Sequence, residues 1–147
     1  MKKFEFRLQV VLEMRENELE QRRIEAAKIL TALREQEEKL KSITDAQKNN
    51  AAQMEDLYLQ DTLDIQQVEN HRDYGIKLVI DEKNQQRIID NTNMILKRKQ
   101  EEVLEAHKKV EVLKKLKEKQ EQEYYKEFWK TQGKEIDDIT TSRYCIR

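Results

Sequence analysis

The sequence predicts an all-α fold, a long two-helix antiparallel coiled-coil hairpin whose second helix extends beyond the first. Three observations carry this reading. The 147 residues contain no proline and only two glycines, so almost nothing in the composition breaks a helix. Hydrophobic residues make up 37% and charged residues 40%, short of the roughly 45–50% apolar content of an ordinary globular core. The apolar residues nevertheless recur at alternating intervals of three and four, the spacing of a helical seam. Without that periodicity so charged a chain would read as disordered. With it, the abundant Glu, Lys, Gln, Leu and Ile read as helix formers.

The first helix is expected over about residues 4–58. One set of heptad positions runs Leu12, Leu19, Ala26, Leu33, Leu40, Gln47 and Met54, and the other runs from Leu8 through Ile29 and Ile43 to Leu57. The seam persists for about seven repeats, beyond the three or four that a coiled coil needs. Its polar members Arg15, Arg22, Gln36 and Asn50 weaken the pairing and help to fix register. A turn follows at about 59–63, where Asp61 or Thr62 suits a helix cap and Asp64 the first turn of the next helix. No glycine or proline marks this turn, and a single continuous helix with a phase shift is the alternative.

The second helix is expected over about residues 64–141, followed by a short C-terminal tail. Its seam passes through Val68, Leu78, Ile89, Leu96, Val103, Val110 and Tyr124, with polar interruptions at Glu82, Gln85, Lys99, Lys117 and Gln120. Gly75 falls on the seam between His71 and Leu78, allowing either close helix approach or local bending. The chain reads as one coiled-coil domain over residues 1–147. Folding back near residue 60 puts Leu8 close to residue 113. The second helix then runs on unpaired for about 20–25 residues, about 30–40 Å at 1.5 Å per residue.

The same residues exclude several kinds of function. Twenty-nine basic and 30 acidic side chains give a net charge of −1, which argues against nucleic acid or an anionic membrane as the main partner. Residues 97–119 hold nine Lys or Arg against five Glu, a run that reads as a solvated face with pairs such as Glu105–Lys109 more readily than as an acidic partner's docking face. His71, His107 and Cys145 have no metal-ligand spacing. With no phosphate loop, nucleophile elbow or triad, the sequence predicts no enzyme, no catalytic residue, no metal and no cofactor. One cysteine forms no intramolecular disulfide and suits a reducing compartment. Lys2 and Lys3 open like a signal peptide, but Glu5 and Arg7 interrupt the apolar run, so a cytoplasmic protein without membrane insertion is expected.

Two groups of residues stand out as contact surfaces. Tyr124, Tyr125, Phe128 and Trp129 cluster on the expected extension, and Phe4 and Phe6 reach the same end from the other helix. Exposed aromatics of this kind are favoured interface anchors. The alternative is that Phe4 and Phe6 fold over Tyr124 and Phe128 to close the hairpin. Nearer the turn, Tyr74 and Leu78 with Ile76 and Ile80 give more apolar surface than one seam needs, for a partner or for a broader contact with the first helix.

The opening Phe4-Glu-Phe6-Arg-Leu8-Gln-Val-Val11-Leu12 resembles the start of the flagellar export protein FliJ family. The stretch from Glu105 through Val110, Leu113 and Leu116 to Lys119, then Tyr124-Tyr-Lys-Glu and Lys134-Glu-Ile-Asp137-Asp-Ile139 to Arg143-Tyr144, looks like that family's C-terminal signature. Gly133 departs from the pattern, where a charged helix former is expected. The resemblance implies a non-enzymatic, central-stalk-like coiled coil of the bacterial flagellar type III export apparatus. Its implied partners are the hexameric export ATPase, the cytoplasmic domain of the export gate membrane protein and the export chaperones. On that basis Phe4, Phe6, Tyr124, Tyr125, Phe128 and Trp129 are expected to meet the ATPase, and Leu40, Ile43, Tyr74 and Leu78 the gate or chaperones. The protein is then expected to be cytoplasmic, peripherally associated with the inner membrane at the flagellar base, and a monomer in isolation. A generic self-associating coiled coil and the related injectisome stalk protein are the alternatives.

Overall fold

The computed structural model of the protein describes residues 2–146. It holds two helices, α1 (Gln9–Tyr58) and α2 (Ile65–Cys145), which pack antiparallel as a hairpin with α2 the longer. The seam read from the heptads is the side that α1 buries. Leu12, Leu19, Leu33, Asn50 and Leu57 are buried, and the heptad positions between them are half-buried. On α2, Leu78, Gln85, Ile89, Ala106 and Val110 are buried. Gln120, expected on this seam, is exposed, and Glu121 takes the half-buried place. Along this stretch Val110 is buried and Leu113, Lys117, Glu121 and Tyr124 are half-buried, so a single seam position is displaced by one residue while the heptad spacing from Val110 through Lys117 to Tyr124 is kept.

The helix ends differ from expectation for local reasons. α1 begins at Gln9 rather than near residue 4, and Lys2–Phe6 is non-helical. Phe4 and Phe6 are two apart, which places both on one side of an extended chain but on different faces of a helix. Gln9 N–H donates to the Phe6 carbonyl at 3.1 Å as the chain turns into α1. At the hairpin turn, the Leu59 N–H closes on the Glu55 carbonyl at 3.2 Å. Asp64, not Asp61 or Thr62, caps α2: its carboxylate accepts the Gln66 N–H at 3.1 Å, while its carbonyl accepts the Val68 N–H at 3.2 Å. No described residue has a positive φ, so the turn does not require the glycine that tight turns often use. α2 continues to Cys145, and within its last turns Thr140, Thr141 and Ser142 donate their hydroxyls back to the Asp137 and Ile139 carbonyls at 2.7–2.9 Å.

The chain divides into two compact units, Met1–Arg22 with Val103–Arg147, and Arg23–Glu102. The first has an apolar interior of Phe6, Leu12, Leu19, Ala106 and Val110, with Phe4, Val103, Leu113 and Leu116 packed against it. Full burial of each such aliphatic side chain is worth about 1.5–3 kcal/mol. The second is stitched by polar pairs across its seam. Gln47 donates to Glu82 at 2.7 Å, Gln85 to the Gln36 side chain at 2.8 Å, and Lys99 to Glu25 at 3.3 Å.

Candidate partner-binding surfaces

In the first unit the N-terminal segment closes over α2. Phe4 tilts against Tyr124 with ring centroids 5.7 Å apart, and the Tyr124 hydroxyl donates to the Lys2 carbonyl at 2.6 Å. Phe6 is 8% exposed, inside the apolar interior. Lys117 donates to the Gln9 side chain at 2.9 Å, farther along α2 than a fold-back near residue 60 brings Leu8. The turn runs on to Asp64, which moves the fold-back point later. The non-helical Lys2–Phe6 then reaches farther per residue than the same segment would as a helix. Phe4, Phe6 and Tyr124 thus serve the closure of the hairpin.

In the rest of the aromatic cluster Trp129 is the open member. Tyr125 meets Tyr124 edge-on at 5.5 Å, and Phe128 meets Trp129 edge-on at 5.6 Å. Tyr125 and Phe128 are half-buried, and Trp129 is 68% exposed. Two residues that the sequence placed only in the C-terminal signature extend this face, Ile136 and Ile139, both more than half exposed. Ile136 follows Trp129 by seven residues and Ile139 follows Phe128 by eleven, so each returns to nearly the same side of α2. That spacing was the available signal. Gly133 has open space where a side chain would stand.

In the second unit the four expected contact residues separate. Tyr74 is 46% exposed, whereas Leu78 is 5% exposed and lies on the seam. Leu40 and Ile43 are half-buried on the facing seam of α1. The outward apolar surface consists instead of Ile76, Val79 and Ile80 beside Tyr74. Ile76, Val79 and Ile80 line a shallow groove with Met54 of α1 and Gly75. Sequence reading passed over Val79, which is flanked by the seam residue Leu78 and by Ile80.

Charged side chains pair both along one helix and across the seam. Arg15 hydrogen-bonds Glu18 at 2.9 Å, and that bond foremost holds the Glu18 carboxyl below its ordinary range, with the charges of Arg15, Lys109 and Arg22 adding to it against partial desolvation. Lys99 is held above its ordinary range, first by its hydrogen bond to Glu25 and next by the charge of Glu102. Among the described residues no cluster of His, Cys, Asp and Glu has a metal-binding arrangement, and no helix is long and apolar enough to cross a membrane.

The structure is that of a two-helix coiled coil with an exposed aromatic residue, Trp129, near one helix end. The family model described as flagellar FliJ protein matches residues 4–146, and the chain belongs to that family. This makes it a component of the flagellar type III export apparatus, in a family of non-catalytic members. No match was found among curated proteins or among solved structures.

Proposed function

We propose that the protein is the central-stalk-like coiled coil of the flagellar export apparatus, binding the hexameric export ATPase and contacting the export gate and the substrate chaperones to promote export. In this reading residues 1–147 act as one coiled-coil domain, a monomer in isolation, in the cytoplasm and peripherally associated with the inner membrane at the flagellar base. The observation that carries the ATPase contact is Trp129, 68% exposed and braced edge-on by Phe128, since a large aromatic left open is a strong interface anchor. Phe128, Trp129 and Tyr125 form the contact, while Phe4, Phe6 and Tyr124 shape the closed end beside them.

Tyr74 carries the contact with gate or chaperones. Leu78, Leu40 and Ile43 support it from within the seam. The test of the ATPase contact is Phe128→Ala with Trp129→Ala. Its affinity for the purified export ATPase is expected to fall at least tenfold, a loss of about 1.4 kcal/mol or more, with the far-ultraviolet circular dichroism of the native chain. Native affinity in this variant removes the assignment.

A further inference from the structure

Asn50 is a buried polar side chain, 6% exposed, toward the turn end of the second unit's seam. Its Nδ2 donates to the backbone carbonyl of His71 at 2.9 Å, and its Oδ1 lies 2.8 Å from His71 Nδ1. The amide orientation follows from this pairing, because the flipped amide would set its oxygen against the carbonyl. His71 Nδ1 therefore carries the proton and donates it, an arrangement that both the neutral Nδ1–H ring and the doubly protonated ring maintain.

The longer Gln85 reaches the Gln36 carbonyl across the same seam at 2.9 Å, but a side chain as short as asparagine needs an open approach. The carbonyl of residue i accepts the N–H of residue i+4, and the side chain at i+4 leans back over it toward the helix N-terminus. For His71 that residue is Gly75, which has no side chain. A Cβ built there would stand 3.1 Å from Asn50 Nδ2, tighter than ordinary van der Waals contact. The chain's other glycine is Gly133, so this combination of gap and carbonyl occurs once along the seam.

We infer that Asn50, Gly75 and His71 form a register lock, in which the Asn50 amide enters the gap at Gly75 and binds the His71 carbonyl and ring. A leucine seam tolerates displacement by a heptad, because each leucine meets another apolar side chain. Asn50 does not: one heptad away it would face Leu78 or the Asp64 end of the turn, with its amide desolvated and unpaired. Beside the Gln36–Gln85 pair farther along the seam, the lock selects one alignment of the two helices near the turn and so fixes which outward residues stand side by side along the groove at Met54, Ile76 and Val79.

The experiment is a thermal double-mutant cycle together with a distance measurement. Gly75→Ala lowers the unfolding midpoint in the native background, because the new methyl displaces Asn50. In the Asn50→Ala background the same substitution raises the midpoint, because alanine favours the helix once the gap is idle. For register, spin labels at Lys48→Cys and Lys83→Cys, both exposed, are placed in a Cys145→Ser chain. They give one narrow distance in the otherwise native protein, and a second resolved distance appears in Asn50→Leu as the helices slide by a heptad, about 10 Å. A midpoint raised by Gly75→Ala in both backgrounds, or an unchanged single distance in Asn50→Leu, overturns the lock.

Discussion

Val110 is 1% exposed among Phe6, Leu12, Leu19 and Ala106, in a unit whose interior is only two helices wide. Neighbours on two sides alone leave little scope for repacking. Val110→Ala is therefore expected to cost about 2 kcal/mol, from two lost methyl groups and the residual cavity. Val112, 66% exposed, should change stability by less than about 0.5 kcal/mol when replaced by alanine. Urea unfolding of the two variants separates them. Lys99 gives a pH-dependent counterpart. Its folded pKa is raised above the unfolded value by Glu25, so the stabilisation is complete below the ordinary lysine range and is lost as pH rises through the raised value. Glu25→Gln should flatten that alkaline part of the stability–pH profile. An identical slope in both chains would show that the pair contributes nothing. The sequence marked Lys99 as a polar break in the seam but not its partner, because Glu25 is singled out only once the alignment of α1 on α2 is known.

The two elements show where local sequence signals succeed and where they yield to tertiary contacts. Both helices were legible because their seams bury the residues that the period selects. The start of α1 was not, because Phe4-Glu-Phe6 also fits a helix by propensity and only packing against Tyr124 favours the extended form. The turn was located but its cap was misplaced. Asp61, Thr62 and Asp64 all suit a cap by type, and only Asp64 is followed by an N–H aimed at its carboxylate. Asp64→Ala is expected to cost about 1 kcal/mol, and Asp61→Ala less than about 0.5 kcal/mol. Equal losses in equilibrium unfolding would place the cap elsewhere. The contact surfaces were legible only in part, for a related reason. Periodicity assigns residues to faces, but the seam edge where Tyr74 is open and Leu78 closed is set by a difference of tens of degrees around the helix.

At the scale of the whole molecule, the pairing of α1 with α2 joins residues at very different separations along the chain. Asn50 meets His71 across 21 positions, whereas Gln9 meets Lys117 across 108. The entropy of closing a loop rises with its length, and closing the second pair from an unfolded chain would cost about 1.5 kcal/mol more by the logarithmic rule. If the turn end is already zipped, that penalty largely disappears, because each further pair closes only a short loop. The hairpin is therefore expected to fold from the turn toward the termini, although the apolar cluster around Val110 lies in the unit formed last. Leu57→Ala and Leu78→Ala, both at buried seam positions near the turn, should mainly slow folding. Leu12→Ala and Val110→Ala should mainly speed unfolding, because their contacts are absent when the transition state forms. Stopped-flow folding and unfolding rates of the four variants test the order. If Leu12→Ala and Val110→Ala instead slow folding while the turn pair leaves it unchanged, the apolar cluster forms first, and burial outweighs loop entropy in this chain.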